Sequence, residues 1–141
     1  MSDTSASDTG GSAVDRLLAR ARTGLRRVQP HDLADEVEAG AVVVDIRRLE
    51  HRQRHGELEG AVVVDRNVLE WRLDPTCEHR LPWSTDQARR IILVCDEGYS
   101  SSLAAATLQE LGLTEATDLV GGYQALLALG RTLVEPSHAD A

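Results

Sequence analysis

Four consecutive apolar residues, Ile91-Ile92-Leu93-Val94, run straight into Cys95 and then into the loop Asp96-Glu97-Gly98-Tyr99. The run is short and uniformly apolar, and mostly β-branched, which predicts a strand buried on both faces rather than a surface helix. Ser100-Ser101-Ser102 and the helix-forming run Leu103 to Leu111 follow the loop. A strand covered on both faces needs helices over it, so this stretch points to an α/β architecture. Functional groups in such folds gather at the carboxyl ends of the strands, which is where Cys95 stands. Loop amides and the positive end of the following helix would both face its sulfur, and both favour thiolate over thiol. The stretch therefore predicts a nucleophilic cysteine held by backbone N–H groups.

The rest of the chain repeats that alternation. Met1 to about Ser12 is small and polar and predicts a disordered tail. Val14, Leu17, Leu18 and Ala21 have helical spacing over 13–23, with Gly24 as the expected C-cap and 25–28 as a lead-in and short edge strand. Arg16, Arg20, Arg22, Arg26 and Arg27 crowd this segment. They read as the solvated face of a packed helix, or as a docking surface for an acidic partner or an anionic membrane surface. Pro30-His31-Asp32 opens a helix through Ala39, and Ala41 to Ile46 is the first buried strand. Arg47 to His55 is helix-permissive, with Leu49 as its apolar anchor, and Gly56 and Gly60 bracket a turn. Ala61 to Asp65 reads as a second buried strand and Asn67 to Leu73 as a short helix, with a loop over 76–86. A last strand over Ala116 to Val120 leads through Gly121-Gly122 into a helix over Tyr123 to Leu129, and fraying is expected from 135. The fold class is α/β, with a central, mostly parallel sheet flanked by helices on both faces.

Composition narrows the function. At 141 residues with 42% hydrophobic side chains, the chain suits one domain with a real core. Phe is absent, so that core is aliphatic, and Trp71 and Trp83 are expected to seal it or pin the loop between them. A formal net charge of −8 argues against non-specific nucleic-acid binding, although all 15 basic residues are arginine. No stretch is long and apolar enough to span a bilayer, and the N-terminus lacks a signal-peptide core. Cys77 and Cys95 make no disulfide framework, and a reducing, cytoplasmic location is expected.

Four motifs occur in an order that resembles the rhodanese-like family from about Val28 to Val134. Asp45-Ile46-Arg47 is similar to the family's Asp-x-Arg at the end of the first strand. Gly56-Glu57-Leu58-Glu59-Gly60-Ala61 is similar to its Gly-His-Ile-Pro-Gly-Ala, with Glu57 and Glu59 in place of His and Pro. Cys95-Asp96-Glu97-Gly98-Tyr99-Ser100 is similar to its six-residue active-site loop, with Cys first and Gly fourth. Gly121-Gly122 is similar to its Gly-Gly turn, with Leu126 where Trp is frequent. The resemblance implies a sulfurtransferase in which Cys95 takes a sulfane sulfur as a persulfide and passes it to a thiol or cyanide, without a metal or organic cofactor. The alternative within the family is a catalytically weak binding or regulatory module.

Individual residues are expected to divide as follows. Cys95 is the nucleophile, and Asp96, Glu97, Gly98, Tyr99, Ser100 and Ser101 form its loop, the two serines donating to sulfur or capping the helix. Each exposed carboxylate at ~7 Å would disfavour the thiolate by roughly 0.6–1 kcal/mol, screened further by salt. Asp96 and Glu97 should therefore repel a dianionic donor such as thiosulfate. Arg66 follows the second strand and either binds the anionic end of a donor or pairs with Asp65 or Glu70. Arg47 is expected to pair with Asp45 or a neighbouring carboxylate as a structural clamp, and Arg52 and Arg54 to lie at the pocket rim. Cys77 could serve as a resolving thiol or be inert, and Cys77-Glu78-His79 offers two metal ligands, too few for a site. A phosphatase loop would need an arginine about six residues after the cysteine, and that position is Ser101. A thioredoxin-like Cys-x-x-Cys is excluded by Gly98.

Overall fold

In a computed structural model that describes residues 11–132 and 134, four short strands pair in parallel. The expected tail, apart from Gly11 and Ser12, and the expected fraying from 135 lie outside the described residues. The strands are β1 (Val42–Asp45), β2 (Val62–Val63), β3 (Ile91–Val94) and β4 (Ala116–Asp118), in the order β2-β1-β3-β4. Asp45 is level with Val94, and Leu93 with Asp118, so two carboxylates and Cys95 emerge at one sheet edge. Val28 bridges in parallel to Leu119 and continues the sheet beyond β4, as expected for the lead-in.

Among the described residues six α-helices surround the sheet: α1 (Ala13–Arg22), α2 (Leu33–Glu38), α3 (Leu49–His55), α4 (Leu69–Leu73), α5 (Ser100–Glu110) and α6 (Gly122–Leu129). Successive strand residues point to opposite faces, and the two cores divide accordingly. Val42, Val44, Ile91 and Leu93 pack with Leu69 and Leu73 of α4 and Ala104, Ala105 and Leu108 of α5. Val43, Ile92 and Val94 pack with Leu33 and Val37 of α2 and Tyr123 and Leu126 of α6. Both β1 and β3 are buried along their whole length, which is why neither shows a polar alternation.

Several expectations are corrected. The second strand is not buried: β2 is a two-residue edge strand with Val63 47% exposed. Trp71 does not seal the core, because Leu69 and Leu73 take the inward positions of α4 and leave Trp71 54% exposed. Trp83 does pack against the core. Leu49 does not anchor α3, where it is exposed at the first turn. The N-terminal helix buries none of its side chains, and Gly24 is not its C-cap, a place held by Thr23 in helical conformation. Its start is well defined: Ser12 and Asp15 form a capping box, each side chain accepting from the other's backbone N–H at 3.2 Å.

Candidate active site

Cys95 closes β3, and its Sγ is almost withdrawn from solvent, the residue being 6% exposed. The turn that follows depends on Gly98, whose φ of +89 and proximity to the Gly121 amide leave no room for a Cβ. That conformation aims Gly98 N–H at Cys95 Sγ, 3.1 Å away. Ser101, in the first turn of α5, places its Oγ 3.2 Å from the same sulfur. One amide and one hydroxyl thus contact the sulfur among the described residues, a narrower cradle than a full nest of loop amides.

The back of the loop is stapled to α6. Tyr123 N–H donates to Cys95 O (2.8 Å), and Gln124 donates to Asp96 through its backbone (3.0 Å) and its side chain (3.1 Å). Gly122 must be glycine here, since a Cβ would lie 2.5 Å from Cys95 O. The Gly-Gly turn therefore serves to let α6 approach the loop backbone.

Arg47 lines the site, and Asp45 holds it there. Both side chains are fully buried, and Arg47 Nη2 lies 2.9 Å from Asp45 Oδ2. The same nitrogen donates to Gly56 O (2.9 Å), while the guanidinium lies 3.8 Å from the Tyr123 ring centre. Tyr123 Oη in turn donates to His55 O (2.9 Å). The pair therefore ties the end of β1 to the end of α3 and to α6, as a clamp in the expected sense.

Ile46, Arg47, Arg48, His51, Cys95, Asp96, Glu97, Tyr99 and Ser100 line an open pocket of about 520 Å³, a size that suits a small molecule. Of the expected loop residues, Asp96, Glu97, Tyr99 and Ser100 line it, while Gly98 and Ser101 support the sulfur from behind. Arg66 is elsewhere, bonded to both oxygens of Glu70 at 3.0 Å, so the ion pair is the interaction present. Arg52 pairs with Glu57 and, like Arg54, is not among the lining residues. Cys77 accepts from its neighbour His79 N–H at 3.4 Å, away from the pocket lining. Among the described residues no group of three or more His, Cys, Asp or Glu side chains is placed to hold a metal.

Four contributors escaped the sequence. Arg48 and His51 reach the pocket because α3 starts directly after the clamp; their polar stretch carried no signal of direction. Asp118, fully buried at the end of β4, accepts from Ser101 (2.7 Å), Ser102 (2.7 Å) and Arg27 Nε (2.8 Å). An aspartate inside the expected last strand, Ala116 to Val120, was the available clue. Arg22 donates to Ser102 Oγ (2.9 Å) and Gly98 O (2.8 Å). Burial first, and then the neighbouring Arg27, hold the Arg22 guanidinium below its ordinary pKa.

A family model described as rhodanese-like domain matches residues 29–129. The chain belongs to this family. It is also similar to the thiosulfate sulfurtransferase GlpE of Stutzerimonas stutzeri, with 31% identity over 105 residues, 72% of this chain and 84% of that one. A protein of unknown function from Rhodopseudomonas palustris, described as a possible tyrosine phosphatase, matches with a TM-score of 0.76 and 25% identity, covering 93% of this chain and 97% of its own. A rhodanese homolog from Thermus thermophilus matches with a TM-score of 0.53 and 35% identity over 72% of this chain and 100% of its own. The rhodanese-like match accounts for the motif order read from the sequence. Among the described residues no helix is long and apolar enough to cross a membrane.

Proposed function

We propose that this rhodanese-like protein is a sulfurtransferase in which Cys95 carries a sulfane sulfur, as a persulfide, from a small-molecule donor to a thiol or cyanide. The observation that carries the reading is that Cys95 lines the pocket while its Sγ has Gly98 N–H at 3.1 Å and Ser101 Oγ at 3.2 Å. The Cys95 thiolate attacks the outer sulfur of the donor, and the donor's S–S bond breaks. Sulfite leaves when the donor is thiosulfate, and a thiolate leaves when it is an organic persulfide. The acceptor then attacks the outer sulfur of the Cys95 persulfide, and the electron pair of that bond returns to Cys95. No net oxidation occurs, so no redox partner is needed. A preorganised N–H aimed at the sulfur favours the charged thiolate and persulfide and costs no reorganisation during reaction.

The named activity of the Stutzerimonas relative supports this reading. The phosphatase description of the Rhodopseudomonas relative is less suitable here, because Ser101 stands about six residues after the cysteine, where the oxyanion-binding arginine is required. A reducing cytoplasm would keep such a thiol in its working form. The burial of Cys95 and the carboxylates of Asp96 and Glu97 at the pocket favour, as the second reading, a binding or regulatory module with little catalysis.

Intact-mass measurement after incubation with thiosulfate or glutathione persulfide separates the two. A single ~32 Da sulfur adduct that disappears in Cys95→Ala is the expected result. Protein that gains no adduct from either donor, or one that Cys95→Ala leaves in place, is the module rather than the enzyme.

A further inference from the structure

Arg22 and Arg27 stand more than sixty residues before the loop in sequence, yet both guanidinium groups donate to one carbonyl in it. Arg22 Nη2 lies 2.8 Å and Arg27 Nη2 2.9 Å from Gly98 O. We propose that these two arginines are positioning residues for Cys95, so that the N-terminal helix and its lead-in are a working part of the active site rather than an arm for a partner. The claim rests on Cys95 being the reacting group, but not on what Cys95 reacts with.

Three observations support it. First, Gly98 is the residue whose amide meets the sulfur at 3.1 Å, and it does so only in its left-handed conformation at φ +89. Two charged donors on its carbonyl hold the next peptide, between Gly98 and Tyr99, and so restrain Gly98 from the side opposite its N–H. Second, the arginines bond both serines' supports: Arg22 Nε meets Ser102 Oγ at 2.9 Å, and Arg27 meets Asp118 at 2.8 Å, the same carboxylate that orients Ser101 toward Cys95. Third, α1 buries no side chain completely: Leu18, Ala21 and Arg22 are half-buried, and Val14 and Leu17 on its apolar stripe are exposed. Polar contacts fasten the segment to α5, among them Arg22 to Ser102 and, just beyond α1, Gln109 Nε2 to Gly24 O (3.1 Å). Arg26, by contrast, is an exposed residue paired with Glu115.

The charges are also arranged to matter. Arg22 and Arg27 with Asp118 leave one net positive charge behind the sulfur, opposite Asp96 and Glu97 at the pocket. Arg47 is neutralised by Asp45, and Arg48, His51 and Tyr99 complete the titratable or charged groups that face it from α3 and the loop. Tyr99 itself lies under Arg22, 5.8 Å from the guanidinium carbon to the ring centre. Losing Arg22 should therefore loosen the Gly98 N–H contact and remove a compensating charge together.

The test is the rate of Cys95 alkylation by iodoacetamide between about pH 5 and 10, in full-length protein with Cys77→Ser, which needs no sulfur donor. Arg22→Gln is expected to slow alkylation near neutral pH by about three- to tenfold and to move the midpoint of the pH profile upward. Arg22→Lys, which keeps the charge and one donor, should recover part of the loss, and Arg26→Gln should match the parent. Arg27→Gln should act in the same direction. If it fails to fold because Asp118 is left buried without its cation, Arg22→Gln decides, since it leaves the Arg27–Asp118 pair intact. A folded Arg22→Gln whose pH profile superimposes on the parent, even with a lower melting temperature, overturns the proposal. So does a profile shift of the same size in Arg26→Gln.

Discussion

Ser101 gives its hydroxyl proton to Asp118 Oδ2 across 2.7 Å and so meets Cys95 Sγ, at 3.2 Å, as an acceptor. A hydroxyl has one proton to give. With the thiol present, that proton goes to Asp118 and the S–H points at Ser101. Once the thiolate forms, the hydroxyl can turn to the sulfur, because Asp118 keeps Ser102 and Arg27 as partners. Ser101 is thus expected to act as a rotor that serves whichever charge is present.

Ser101→Ala removes that donor while leaving Gly98 N–H in place. A net hydrogen bond of about 1 kcal/mol corresponds to roughly fivefold slower loading of sulfur onto Cys95. Single-turnover loading followed by intact mass checks this. Loading at the parent rate would mean that the hydroxyl never turns.

Much of the scaffold was legible because it rests on local pattern. The β-branched runs at 42–45 and 91–94, the glycines at 98 and 121–122 and the Asp45-Ile46-Arg47 step each carry their own reason in a few neighbouring residues. The edge position of β2 was not legible, because the run Ala61-Val62-Val63-Val64 looks as apolar as that of a central strand and only its missing neighbour exposes Val63. Trp71 misled for a related reason: its size suggests burial, but its helical position between Leu69 and Leu73 decides otherwise. The Arg22–Ser102 contact spans 80 positions, and no periodicity or spacing reports a pair so far apart. The arginine-rich start of the chain therefore read as a solvated helix face or a docking surface, and nothing in the sequence reported that Arg22, Arg26 and Arg27 each bond within the chain.

The Asp45–Arg47 clamp yields an expectation for stability. Both side chains are fully buried, so removing one charge leaves the other without compensation inside the protein. Asp45→Asn is expected to cost about 3–5 kcal/mol, read as a lower urea midpoint with an unchanged slope. A midpoint within experimental scatter of the parent would mean that the neighbouring Gly56 carbonyl and Tyr123 ring suffice to hold Arg47.

Arg48 and Arg66 should part company in kinetics. Arg48 lines the pocket beside Cys95 and makes no ion pair among the described residues, whereas Arg66 is bound to both oxygens of Glu70. Arg48→Ala is expected to raise the donor KM by about three- to tenfold with little change in kcat, the sign of lost ground-state binding. Arg66→Ala should leave KM where it was. The reverse pattern would place the anion of the donor on the Arg66 side of the sheet edge.

Asp96 and Glu97 set the last expectation, because they are the carboxylates lining the pocket and lie directly after Cys95. Neutralising them with Asp96→Asn and Glu97→Gln keeps their shapes and leaves Gln124 an acceptor at position 96, where it now bonds Asp96 Oδ1 at 3.1 Å. A dianionic donor pays each carboxylate twice the repulsion felt by a single charge, on the order of 1 kcal/mol at ~7 Å and moderately reduced dielectric. Loading from thiosulfate should therefore rise by about tenfold or more in the double variant at low salt. The gain should shrink as ionic strength shortens the Debye length to about 3 Å near 1 M. A gain that persists at high salt would point to loop geometry instead of charge. No gain at low salt would mean that Arg48, together with the positive group behind Cys95, already cancels the two carboxylates at the sulfur.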